Sequence, residues 1–423
     1  MEDAGQGVGI FCSAKVAHSN KEDFDSAALL SKGKAGRRSK QKFKIAGEIQ
    51  MNATATMRAA RMHEAGARLI VEELPTPVPG DEDILVRVRS CGMVPNLINV
   101  LHQLAKIAPG LGIPLPPLPA VFGLDPAGEV VQVGAHVKNV AVGDRVYVNP
   151  ARVCGTCRHC VDGNLVACSY YTFNGYFGFS HNSLEIYDRY PWGGMAEYMV
   201  APSYAAVKLA DRTSFDQAAR LGYVGTAYSA LRRSDVGPES TVLITGASGT
   251  LGLGGVLSAL ALGARRIFAV ARDRDLLAEV KAISPDRIEV MSSLDGSVRE
   301  WTREATKGEG VDIAVDCLPH GAPIEQFLEA YHSLRRGGKM VNAGGITEAI
   351  PVFLHDLMTR NISLVGSLWF TPREGREMAA LAESGLLDLS VFETQACTLD
   401  NVNDALGDMS TRRGGFSNYV VNP

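Results

Sequence analysis

Four cysteines stand within fifteen residues of CGTCRHCVDGNLVAC, at Cys154, Cys157, Cys160 and Cys168. Thiolates are preferred ligands of a structural Zn2+, and two-residue gaps let neighbouring sulfurs converge on one ion without straining the loop. An iron–sulfur cluster and a pair of disulfides are the competing uses of such a set. No second cysteine cluster and no proline after Cys168 accompany it, which speaks against a ferredoxin-like site. The absence of a signal-peptide apolar region at the start points to a reducing, cytoplasmic setting, which speaks against disulfides. With four protein ligands, the ion has no open position for chemistry, so the expectation is one structural zinc per chain that pins a lobe.

A second chemical signal is TVLITGASGTLG, residues 241–252, where an apolar strand runs straight into Gly246, Gly249 and Gly252 and an apolar helix follows. Glycines at such a turn let backbone amides approach a pyrophosphate seated on the helix N-terminus. The expected cradle also takes in Ser248, Thr250 and Leu251. The competing reading is an ordinary tight turn, but the strand before, the helix after and a second strand, RIFAVA, ending about twenty residues on supply the required context. At that second strand's end an acidic residue would hold the ribose of NAD, and a basic one the 2′-phosphate of NADP. Ala271 is neutral and Arg272 follows it, which favours NADP(H), while Asp273 leaves NAD open. A later strand, KMVNAGG, brings Ala343 and Gly344 to the same expected site.

These residues need a scaffold of two kinds. Between Met57 and Lys208 short β-rich pieces are broken by Gly and Pro; MRAARMHEAGARLIVEELPTPVPGDEDILVRVRSCG reads as two strand pieces, and residues 128–148 add more, which suggests a barrel-like domain. PGLGIPLPPLPAVFG reads as a rigid approach to that barrel. From Thr241 strands and helices alternate as in a doubly wound parallel sheet, so the fold class is α/β. The stretch from about Leu368 mixes helix with strands and returns to the β domain. Residues 1–56 differ: nine Lys or Arg face six Asp or Glu, with little periodicity, and they read as a disordered extension or upstream translation. The remainder carries 33 basic against 40 acidic residues, so the chain's net −4 joins two unlike pieces. That balance excludes nucleic acid as the main partner, and no apolar run approaches the roughly 18 residues needed to cross a membrane.

Together these segments resemble the medium-chain dehydrogenase/reductase superfamily, specifically its zinc-type alcohol dehydrogenases and quinone-oxidoreductase-like relatives. The resemblance rests on GLDPAGEVVQVG (123–134), VGDRVYV (142–148), the four-cysteine lobe, GGMAEYMV (193–200), GTAYSAL (225–231) and the nucleotide turn. It implies a GroES-like catalytic domain over residues 57–205 and 368–423, a Rossmann domain over 206–367, and an active site in the cleft between them. It also implies that Thr226 touches the nicotinamide, and that the protein is a homodimer or homotetramer.

The departure lies where the family holds its catalytic metal. The ligand cysteine corresponds to Val94, the GHE motif to GLD with Leu124 and Asp125, and the third ligand to Gly222 or Tyr223. Asp125 replaces the glutamate beside the ligand histidine, and none of the three ligand places, Val94, Leu124 and Gly222 or Tyr223, holds a usual zinc ligand, so the expectation is no catalytic zinc. Alcohol oxidation in this fold relies on zinc as a Lewis acid. Reduction of an activated C=C bond or a quinone needs only hydrogen-bond donors for the oxygen that gains charge. The expected activity is therefore NADPH-dependent reduction of an enone or quinone. The alternatives are an alcohol dehydrogenase or carbonyl reductase using a side-chain donor, and a non-catalytic nucleotide-binding member. Candidate donors are Tyr223 and Asn96, with Asn99 behind them. Residues 169–194 carry nine aromatic side chains, which either line a pocket for a flat or cyclic small molecule or pack the zinc lobe.

Overall fold

The computed structural model describes residues 55–423 except 105, 107 and 109–111. The basic extension lies outside the described residues apart from its last two positions, and so does part of the Pro-rich approach to the barrel.

Short strands build the first part of the chain. β1 (Thr56–Met62) and β2 (Ile70–Pro75) form an antiparallel hairpin, with Arg61 opposite Ile70. β3 (Asp83–Gly92) is the spine of the main barrel sheet. Where the sequence reading has two strand pieces before Gly92, the structure has three. The missed one is Ala-rich and carries little β-branched signal; it is drawn into a sheet because Ala59, Ala60 and Met62 are fully buried. β4 (Ala120–Val121) pairs with β1, and β5 (Asp125–Val133) runs antiparallel to β3. β6 (Arg145–Val148), β7 (Ala151–Arg152), β8 (Thr172–Phe173), β9 (Tyr198–Pro202) and β10 (Ala206–Lys208) complete this part.

The central part is a parallel sheet: β11 (Thr241–Thr245), β12 (Arg266–Ala271), β13 (Ile288–Ser292), β14 (Val311–Asp316), β15 (Leu334–Asn342) and β16 (Ser363–Gly366). TVLIT is buried at every position, as a strand covered on both faces must be. The spatial order is β13-β12-β11-β14-β15-β16. The order reverses beside β11, so a crevice opens at the carboxyl ends of β11 and β14, where ligands bind in such sheets.

The chain then returns to the barrel. β17 (Glu393–Cys397) pairs parallel with β18 (Ser417–Val421), and β18 pairs with β3, Val421 lying opposite Cys91. A helix, Leu221–Arg233, joins the two parts and packs on the helix that follows β11, Thr250–Ala261, closely enough that a Cβ at Gly254 would lie 3.0 Å from the Val224 Cα. The fold is therefore α/β, a Rossmann-type sheet with a GroES-like β-barrel. Among the described residues, no helix is long and apolar enough to cross a membrane.

Candidate active site, nucleotide turn and zinc lobe

The nucleotide turn starts where β11 ends. Gly246 adopts φ +61°, and a Cβ there would lie 2.8 Å from the Cys317 carbonyl oxygen, so both backbone shape and space demand glycine. Gly249 donates its N–H to the Gly246 oxygen at 2.8 Å and caps the helix, and a side chain at Gly252 would collide with the same oxygen. Thr250 is buried at the first helical position, its hydroxyl without a partner among the described residues, and Leu251 is half-buried beside it. The Ser248 carbonyl accepts the Gly415 N–H at 2.7 Å, so the loop before β18 lies across the turn. At the end of β14, Thr245 donates to the Asp316 carboxylate at 2.8 Å; burial lifts Asp316 to about 6, against that bond and the Leu318 N–H. Ala343 donates to the Asp316 carbonyl at 3.1 Å, and Gly344 has no room for a side chain beside the Asp316 carboxylate. This cradle of tightly spaced backbone and free helix N–H groups fits a dinucleotide pyrophosphate.

The end of β12 separates the two residues that choose the cofactor. Asp273 caps the helix Arg274–Ile283, accepting the Leu276 N–H at 2.9 Å, which occupies its carboxylate locally. Arg272 is exposed and pairs with no carboxylate among the described residues, whereas Arg274 pairs with Asp295.

In the lobe, the Cys154 sulfur is 3.9 Å from that of Cys160 and 3.6 Å from that of Cys168, and the Cys157 and Cys160 sulfurs are 3.6 Å apart. A tetrahedral Zn2+ with bonds of about 2.3 Å requires sulfur separations near ~3.8 Å, so these four residues fit the ion and would hold it. Backbone N–H groups of Cys157 and Tyr170 point at the sulfurs of Cys154 and Cys168 at 3.4 Å. Burial raises the Cys154 thiol, but donors from Thr156 and Cys157 prevail and hold it near about 6. Among the described residues, no other group of three His, Cys, Asp or Glu is placed to hold a metal.

The cleft is built around Asp125. Its strand begins after Gly123, whose φ of +121° and close approach to the Gly194 nitrogen, 2.8 Å from a built Cβ, admit only glycine. The Asp125 side chain is buried; Tyr147 donates its hydroxyl to Oδ1 at 2.6 Å, and Oδ2 has no partner among the described residues. A side chain at Gly222 would collide with this carboxylate, so the helix Leu221–Arg233 starts directly against it. Val94 and Leu124 are buried and apolar. Burial pushes Asp125 up to about 7, against the Tyr147 bond and the nearby Arg220 charge. Arg220 is itself buried: it donates to the Ser417 carbonyl at 2.7 Å, lies 5.6 Å from the Phe392 ring, and is lowered to about 10 by burial.

The two sequence-predicted donors meet here. The Tyr223 hydroxyl faces Asp125, Arg220 and the Asn96 backbone N–H, and burial followed by the Asp125 charge raises it to about 12. Asn96 is exposed, precedes the short helix Leu97–Asn99, and accepts the Asn99 amide at 3.2 Å. Thr226, one turn after Gly222, is buried and donates to the Gly222 carbonyl at 3.0 Å. Sequence reasoning did not single out Tyr147 or Arg220, and named Asp125 only as a replaced glutamate. The available signal was an acid flanked by apolar residues in VFGLDPAG. Of the aromatic stretch, Tyr171, Phe173, Tyr176, Tyr187 and Tyr190 are buried, and Phe173 stacks 4.7 Å from Trp369, itself 5.1 Å from Phe370. The stretch thus packs the lobe against the segment that follows β16.

Comparison with known proteins identifies this architecture. Residues 80–211 match the alcohol dehydrogenase GroES-like domain family, and residues 250–384 match the zinc-binding dehydrogenase family. Over 367 residues the chain is 30% identical to an alcohol dehydrogenase of Geobacillus stearothermophilus, spanning 86% of this chain and 99% of that one. The chain belongs to the zinc-type alcohol dehydrogenase-like, medium-chain dehydrogenase/reductase superfamily. Within it, an L-idonate 5-dehydrogenase of Vitis vinifera is 31% identical over 69% of this chain and 74% of its own. A cobalt- and zinc-bound thermostable alcohol dehydrogenase from Pyrobaculum aerophilum superposes with a TM-score of 0.68 at 25% identity, over 87% of this chain and 100% of that one. The chain is accordingly an NAD(P)-dependent oxidoreductase of this superfamily.

Proposed function

We propose that this oxidoreductase works without a catalytic zinc and reduces an activated C=C bond or a quinone with NADPH. The observation that carries this reading is the Asp125 carboxyl pressed against Gly222, while Val94 and Leu124, at the other two ligand places, are buried and apolar. When bound, the reduced nicotinamide would supply a hydride equivalent to the substrate. The chain's own part is to orient and to stabilise charge. The glycine turn 246–252 receives the pyrophosphate at the N-terminus of the helix that follows, Ala343 and Gly344 border it, Arg272 takes the 2′-phosphate, and Thr226 orients the nicotinamide. The Tyr223 phenol, kept protonated by burial, donates to the oxygen on which charge grows, with Asn96 at its side. Asp125, neutral below about 7, leaves that oxygen unopposed.

A second reading, reduction of an aldehyde or ketone or the reverse oxidation, is favoured by the names of relatives, which include alcohol, sorbitol and L-idonate dehydrogenases. A screen of the purified full chain with NADPH against enones, quinones, aldehydes and alcohols, together with metal analysis, separates the two. Enone- or quinone-dependent NADPH loss at about one zinc per chain supports the first reading. Two zincs per chain, or turnover of alcohols alone, overturns it. Self-association completes the proposal: β16 is an open sheet edge, and Leu364 on it is exposed together with Phe353, Leu354, Met358 and Leu368 nearby.

A further inference from the structure

A second phenol reaches the same cleft from the zinc lobe. The turn between β8 and Phe177 is fastened to the strand that carries Asp125: Gly123 donates its N–H to the Gly175 carbonyl at 3.0 Å, and Gly175 sits at φ +68°. A Cβ at Gly175 would lie 2.7 Å from the Gly123 carbonyl, so the two glycines allow an approach that no other residue permits. Tyr176 follows directly, its N–H donated to the Phe173 carbonyl at 3.1 Å and its ring 4.9 Å from that of Phe177. The residue is only 4% exposed, and its hydroxyl is buried with no hydrogen-bond partner among the described residues. The groups around that hydroxyl are Tyr223, the Asn96 side chain and Asp125. Buried hydroxyls are ordinarily satisfied, and the Asn96 amide can only donate to this one, so the phenol's own proton calls for an acceptor that arrives with a ligand.

We propose that Tyr176 and Tyr223 form a two-phenol oxyanion hole that holds the carbonyl oxygen of a conjugated ketone or quinone. This deepens the zinc-free reading and rests on it. Two neutral donors from separate elements, one on the lobe and one on the helix Leu221–Arg233, would meet on one oxygen. When a hydride adds to the conjugated carbon, the C=C electrons shift to form the enolate and the C=O π electrons move onto oxygen; the two phenols hydrogen-bond that oxyanion and keep their protons, and the enolate takes its proton from water. Burial favours the protonated phenol at both positions. The zinc lobe thereby acquires a functional consequence, because a loose lobe would carry Tyr176 away from Tyr223.

The test uses 4-nitrophenol, whose phenolate is a coloured oxyanion, bound to the full-length protein with NADP+ present, and 4-nitroanisole as the matched ligand without an acidic oxygen. Wild-type protein is expected to favour the bound phenolate at a pH where free nitrophenol is mostly neutral. Tyr176→Phe is expected to weaken phenolate binding by roughly ten- to hundredfold and to leave nitroanisole binding unchanged. It should lower kcat for the enone without changing KM for the cofactor. Tyr223→Phe should do the same, and unchanged circular dichroism confirms that both variants are folded. If Tyr176→Phe matches wild type while Tyr223→Phe loses phenolate and turnover, the two-phenol hole is wrong and the zinc-free reading stands. If phenolate gains nothing over nitroanisole in wild type and neither variant slows enone turnover, that reading falls as well.

Discussion

Replacing Asp125 by asparagine isolates the electrostatics of the cleft. The carboxyl sits near about 7 in the folded chain against 3.8 for an ordinary aspartate, a shift caused by burial that Tyr147 and Arg220 only partly offset. Because the folded value is raised, the stability tied to this group is complete below about pH 4 and is lost as pH rises through about 7. Three units at about 1.4 kcal/mol each put the full loss near 4 kcal/mol, of which about 3 kcal/mol falls between about pH 5 and about pH 8. Asparagine keeps the acceptor for Tyr147 but has nothing to ionise. Urea unfolding of both proteins at those two pH values cancels every other titrating group in the double difference. Wild type should lose about 3 kcal/mol more than Asp125→Asn across the interval, and the variant should be the more stable protein at about pH 8. Parallel losses would show that Asp125 is ionised in the folded state at low pH, and the account of a neutral cleft would be refuted. Turnover should follow the same group: ionisation places a negative charge beside the oxygen that gains charge, so wild-type kcat should decline above about pH 7 and the Asp125→Asn profile should lack that limb.

Three further outcomes are expected. Arg272→Ala should raise KM for NADPH by about tenfold and leave KM for NADH nearly unchanged, because one exposed charge-assisted contact to the 2′-phosphate is removed; equal effects on both cofactors would reject the specificity assignment. Cys160→Ser should reduce zinc content from about one per chain towards none and lower the thermal midpoint, measured by atomic absorption and calorimetry, and full zinc retention would reject the four-thiolate site. Sedimentation should show a dimer or larger species that Leu364→Asp shifts towards monomer, and an unchanged distribution would reject β16 as the contact.

What could be read from the residues follows from how local each signal is. TVLITGASGTLG carries strand, turn and helix within twelve positions, and the structure has each of them there. The four cysteines are equally local, and their sulfurs converge. β1 escaped notice because alanines declare neither strand nor helix, and only pairing with β2 and β4 decides. The Asp125 cluster was beyond reach for a related reason. Its five members come from four places: Asp125 from β5, Tyr147 from β6, Arg220 and Tyr223 from the start of a helix, and Tyr176 from the lobe. No spacing rule links them. What the residues did offer was the pattern of replacements, in which Val94, Leu124 and Gly222 stand together where chemistry was expected.

Those replacements are coupled by volume and charge. A metal ligand at position 222 needs a side chain, and any Cβ there collides with the Asp125 carboxylate as it lies. Glycine at 222 therefore lets the carboxyl advance, and the carboxyl then occupies the space that a ligand side chain would fill. Once there, it is desolvated enough to favour its neutral form below about pH 7. A neutral carboxyl and neutral phenols form an environment poor in charge, in which donor hydrogen bonds to a nascent oxyanion are strong because little water competes. Restoring one ligand alone, for example Gly222→Cys, should accordingly fail to bind a second metal. It would force Asp125 aside without supplying donors at Val94 and Leu124. Zinc analysis of that variant should still give about one ion per chain, and a second ion would show that the cleft retains a latent metal site.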